Sequence, residues 1–277
     1  KAVESLPQDL QKDMINQWLK MRPKDLPLEQ VKSALRQFSS VIELLKQAGL
    51  CKRCNWPAAE VESITEDLSK YRQAAFILAL QARLQIAQGQ LDQAIGNIGA
   101  GIAMARHLGQ GPTLIQGLVA AAIGALMYKQ LEELVQYPDA TICYWALQEL
   151  PKPLIDLDKQ IELELANLKK QNDPLLRRQQ EEQLKPGHDR VRVIGKRLQR
   201  DVAALQCIEA IRLYAAAHGG KFPNQLSDIT DVPVPDNPAT GKPFVYRRSG
   251  SKATLEGLSP GDSQKEEVLT YELNLKE

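Results

Sequence analysis

The sharpest chemistry-bearing spacing in the chain is Cys51-Lys52-Arg53-Cys54. Two thiols at this distance could form a redox dithiol, with Lys52 and Arg53 lowering the thiol pKa. They could also supply half of a zinc site, or close a local disulfide. A redox motif needs a strand before it and a helix opening at the first cysteine. Here a helical pattern ends at Gly49, and Asn55-Trp56-Pro57 follows. Zinc needs four ligands, and no second CxxC or HxxxH spacing is present. The context favours a structural disulfide or a pair of free thiols, so Cys51 and Cys54 are disulfide candidates. Cys143 and Cys207 complete an even set of four, which fits an oxidising compartment.

The three histidines are His107, His188 and His218. None has a Ser or Cys partner in a nucleophile motif, and no G-x-S-x-G, H-E-x-x-H or P-loop occurs. His107 and His218 fall at predicted helix ends just before Gly109 and Gly219, where a cation suits the helix dipole. The basic run between Arg190 and Arg200 places Arg192, Lys196 and Arg200 four apart on one helical face. No aromatic residue stands nearby for stacking, so the run reads as a solvated face or a contact to Glu181 and Glu182. With a net charge of +1, no overall field favours nucleic acid. No catalytic, cofactor-binding or metal residue is assigned, and whether the protein is an enzyme stays open.

The elements that must position these residues are mostly helical. Aromatics make up only 5% of the chain, while Ala, Leu, Gln and Glu abound, which favours helix over sheet. Helices are expected at 9–21, at 28–48 with Gly49 as C-cap, and at 58–71. Residues 73–88 and 91–108 form two helices broken at Gly89-Gln90. Ala82, Gly89, Ala94 and Gly101 punctuate this pair in a spacing that resembles one tetratricopeptide repeat. The helix from Pro112 to about 136 is nearly apolar all round, so it belongs in a helical core, and its 114–127 stretch should be the most buried. It is too short and polar for a membrane span. Short helices follow around 144–150, capped by Asp139, and at 154–168. Composition then changes at 171–185, where Asn172-Asp173-Pro174 and Pro186-Gly187 bracket a linker or exposed helix. A helix from 189 to 217 leads into period-two segments at 244–248, 253–258 and 268–275, read as strands.

The C-terminal third resembles the major pseudopilin of type II secretion. Asn237-Pro238-Ala239-Thr240-Gly241-Lys242-Pro243-Phe244-Val245-Tyr246 is similar to that family's D-P-W-G-x-P-Y-x-Y entry to its first strand. Leu213-Tyr214 and Gly220-Lys221-Phe222-Pro223 are similar to its helix end. The resemblance implies a helix packed on three antiparallel strands and supplies no catalytic residue. The family's calcium loop would fall at residues 261–267, where Lys265 opposes calcium binding, so no metal or cofactor is expected. The whole chain also resembles uncharacterised exported bacterial proteins with a helical region and such a tail.

The sequence therefore predicts a mainly α protein with a smaller α+β part: a TPR-like helical domain (1–171), a linker (172–187) and a pseudopilin-like domain (188–277). The expected function is an exported, non-enzymatic interaction or scaffold protein linked to secretion or cell-envelope assembly. The alternative is an extracytoplasmic enzyme with dispersed carboxylates between the two parts. The expected partner is an unidentified protein. No nucleic acid is expected, and a membrane only through an N-terminal anchor removed ahead of Lys1. The expected location is extracytoplasmic: periplasmic, secreted or lipid-anchored.

Overall fold

A computed structural model describes residues 12–52, 54–56, 61–137, 140–170, 173–259 and 268–274. The protein is mainly helical with a small three-stranded antiparallel sheet. It divides into two compact units, Lys1–Ala140 with Ile155–His188, and Thr141–Leu154 with Asp189–Glu277.

The first unit holds α1 (Lys12–Lys20), α2 (Leu28–Arg36), α3 (Ser39–Gly49), α4 (Val61–Ala87), α5 (Leu91–Leu108), α6 (Leu114–Val135) and α8 (Leu157–Leu168). The expected single helix over 28–48 is split at Phe38, yet Val31, Leu35, Phe38, Ile42 and Leu45 are all buried as one stripe. Gly49 ends α3 as a packing residue, because a Cβ there would lie 3.1 Å from the Ala100 Cα of α5. The Gly89 turn, with φ of +71°, sends α5 back against α4. Where α5 meets α6, a Cβ on Gly101 would sit 2.2 Å from the Met127 sulfur. Small residues thus set how closely these helices approach.

Burial is deepest in α4, where residues 73–86 are all buried except Phe76 and Gln81. This corrects the expectation for α6, whose Ile115 is 44% exposed. By length and composition α6 is the one described helix able to cross a membrane. Here it packs on α4, α5 and α8 and buries Gln116 and Gln130. Gln116 closes a capping box with Thr113, which starts the helix. Gln130 accepts from Arg83 of α4 at 2.9 Å. Arg83, 3% exposed, also donates to the Met21 carbonyl. Burial pulls its guanidinium below the ordinary range, and Glu133 at 3.8 Å opposes that pull.

The stretch expected as a linker is helical over its described residues. It begins α9 (Pro174–Ala217), a 44-residue helix that carries Pro186 inside it. Asp173 accepts from the amides of Leu175 and Leu176, so Asp173-Pro174 opens this helix instead of breaking the chain. The division between units falls within α9, after His188. His188 is buried and bonded to Glu164 of α8 at 2.6 Å.

The second unit holds α7 (Tyr144–Gln148), the rest of α9, and β1 (Val245–Ser249), β2 (Lys252–Gly257) and β3 (Leu269–Asn274) in sheet order 1-2-3. The register aligns Tyr246, Leu255 and Tyr271 across the sheet. Gly250, with φ of +61°, makes the β1–β2 turn. Leu198, Leu205 and Ile208 of α9 and Leu255 of β2 are buried as expected, while Leu213, Tyr246, Tyr271 and Leu273 are only half-buried. The basic run is not one solvated face. Arg200 is 4% exposed, lies against Gly257 of β2, and donates to Ser259 Oγ at 2.6 Å. The segment 141–154, expected in the helical domain, belongs to this unit: the buried Glu209 of α9 accepts from the Cys143 amide and from Arg212. The expected Asp139 cap, the 261–267 loop and Leu275 lie outside the described residues.

Candidate docking groove

The connector between α9 and β1 is rich in proline, and proline removes backbone donors while favouring an extended chain before it. Apart from a single 3-10 turn at Leu226–Asp228 and the Asn237–Lys242 bridge it has no regular element, so side chains must hold it. Tyr246 donates to the Pro223 carbonyl at 2.9 Å, and Arg248 donates to the Phe222 carbonyl at 2.7 Å. Asp228 accepts from the amides of Asn224 and Gln225. Tyr144, fully buried in α7, donates to the Pro233 carbonyl at 2.6 Å. Beyond it Asn237, 2% exposed, bonds the Leu258 carbonyl and organises the turn to Lys242, where Gly241 has φ of +67°.

Pinned at these points, the connector walls an open groove of about 720 Å³. Ile229, Val234, Pro235, Phe244 and Tyr246 give it apolar surface, and among the described residues Asp231 and Asp236 are its only charged lining. Burial pushes the Tyr246 phenol up to about 12, so it is a hydrogen-bond donor and not a base at ordinary pH. On the other side of Pro235 and Asp236 a smaller cavity of about 130 Å³ reaches Pro153 and Gln206.

The disulfide candidates Cys51 and Cys54, and His107, lie in the other unit. Cys51 is exposed and Cys54 half-buried, and both are free thiols. The loop that carries them is held at both ends by one residue. His107 bonds the Cys51 carbonyl through Nε2 at 2.9 Å, and its own carbonyl accepts from Trp56 at 2.8 Å. His107 therefore braces this loop rather than capping its helix. His218 does serve its own helix, donating from Nδ1 to the Tyr214 carbonyl at 2.8 Å with its ring stacked on Tyr214. The Cys54 thiol is raised by burial and then by Cys51, the reverse of what an activated dithiol needs. Among the described residues no group of three or more His, Cys, Asp or Glu is placed to hold a metal ion.

The groove was not foreseen from sequence. Its signal is Asp231-Val-Pro-Val-Pro-Asp236, in which prolines alternate with valines between two acids. Comparison with protein-family models, curated proteins and solved structures gives no match. The functional reading therefore rests on geometry.

Proposed function

We propose that this protein is an exported, non-enzymatic interaction or scaffold protein of the cell envelope, and that its C-terminal unit docks a protein partner. The observation that carries the reading is the open groove along the proline-rich connector, whose floor is apolar and whose walls are fixed by buried hydrogen bonds. A long, open, preformed groove suits a polypeptide better than a small substrate that must be enclosed. The close, small-residue packing of α4, α5 and α6 supports a TPR-like helical unit, a type of scaffold that presents surfaces to partners. A helix and three antiparallel strands in the second unit support the pseudopilin-like reading, and with it the link to secretion and an extracytoplasmic location.

A photo-crosslinking residue at Thr230, exposed on the groove, tests this in cells. The expected result is one discrete protein adduct in the envelope fraction, absent when the crosslinker replaces exposed Lys32 on α2. Equal, diffuse labelling from both positions, or a protein confined to the cytoplasm, would overturn the reading.

A further inference from the structure

We infer that the groove takes an extended polypeptide segment bearing Lys or Arg, seated by backbone pairing along residues 232–236. This rests on the docking reading above and names its partner's chemistry.

In an extended chain, alternate residues direct their backbone groups to opposite edges. Pro233 and Pro235 fall on one edge, which has no N–H to offer. At Pro233 that edge meets the protein, since its carbonyl accepts from Tyr144, while both prolines also line the groove. Val232, Val234 and Asp236 fall on the other edge. No hydrogen bond among the described residues engages their amides. All three line the groove. Val234 and Asp236 are the open donors of this edge, Val232 being 7% exposed at a bend, and the Pro233 carbonyl holds the segment in place before any partner arrives. Addition of an extended peptide to such an edge gains main-chain hydrogen bonds, and side-chain contacts then select the sequence.

Charge makes the selection. Asp231 and Asp236 are exposed, line the groove, and form no ion pair or hydrogen bond among the described residues. Among the described residues no Lys or Arg lines the groove to balance them. Five positions apart, they span at most roughly 18 Å, within reach of two basic residues on one extended segment. An acidic segment would meet like charge at both ends.

Amide-resolved NMR on the full chain tests this with three blocked octapeptides. One alternates Val and Lys, one replaces every Lys by Glu, and one is the Lys peptide with alternate backbone amides methylated. The Lys peptide is expected to shift the amides of Val232, Val234 and Asp236. Its binding should weaken about five- to ten-fold in Asp231→Asn/Asp236→Asn and in high salt, the range for two exposed charge pairs. The Glu peptide should bind at least about ten-fold more weakly, and the methylated peptide should not bind. Equal binding of the Glu peptide at the same amides would overturn the cationic partner and leave the docking reading standing. Undiminished binding of the methylated peptide would overturn backbone pairing. If no peptide shifts these amides, this inference and the groove as docking surface fall together.

Discussion

The buried phenol of Tyr144 donates to the carbonyl of Pro233 at 2.6 Å, tying a five-residue helix to a segment 89 positions later. Tyr144→Phe keeps the ring and deletes the donor, leaving that carbonyl unpaired. Loss of about 1 kcal/mol in urea unfolding is expected. Amide exchange at Val232 and Val234 should speed up more than exchange in α4. Unchanged exchange there would show that the bond does not hold the connector.

Glu209 is fully buried and accepts from both Arg212 and the Cys143 amide. Glu209→Ala removes the buried carboxylate that both donors share, and a loss of about 3 kcal/mol is expected. Glu209→Gln keeps one acceptor and should lose less. Chemical denaturation of the two variants decides, and equal small losses would mean that water replaces the carboxylate.

The same contacts change what can fold alone. A fragment starting at Pro186 lacks residues 141–154, so Glu209 keeps Arg212 but loses the Cys143 amide, and the Pro233 carbonyl loses Tyr144. It should give poorly dispersed amide spectra, sharpened by adding a 141–154 peptide in trans. A well-dispersed fragment without the peptide would show that this segment is dispensable.

At Gly101 the α5–α6 approach leaves no room for a methyl group. Gly101→Ala should cost about 1–3 kcal/mol, because the fully buried Met127 must shift within the core to admit the methyl group. Adding Met127→Ala should make the two effects clearly non-additive in a double-mutant cycle. Strict additivity would place the strain elsewhere.

Burial pushes the Cys143 thiol up to about 11 and the Cys207 thiol up to about 12. The folded chain then keeps protons that the unfolded chain releases from about pH 9. The stability this contributes is complete below that pH and is lost as pH rises through 11 to 12. In alkylation of the native protein Cys51 should react first, Cys54 more slowly, and Cys143 and Cys207 only on unfolding. Early labelling of Cys207 would show that the α9 core opens locally.

The helices were legible where one face repeats. The α4–α5 break at Gly89-Gln90 and the strand alternation around Leu255 could be read directly. Misreadings came from residues with two physical uses. Asp173-Pro174 looked like a breaker and is a cap with a first-turn proline. Gly49 looked like a C-cap and is a contact with Ala100. Pro186 sits inside α9 without ending it, yet the division between the units falls just past it, after His188. The groove stayed hidden because its making is non-local: it needs Tyr144 beneath Pro233 and Tyr246 beneath Pro223, and no periodicity encodes pairings at such separations.

Alternating prolines at 233 and 235 also limit assembly. A strand with donors on both edges can be extended without end, which is the route to fibrous aggregates. A strand mute on one side can be extended only once. The Val234–Asp236 edge can therefore stay uncovered without seeding a growing sheet, and whatever pairs with it does so one copy at a time.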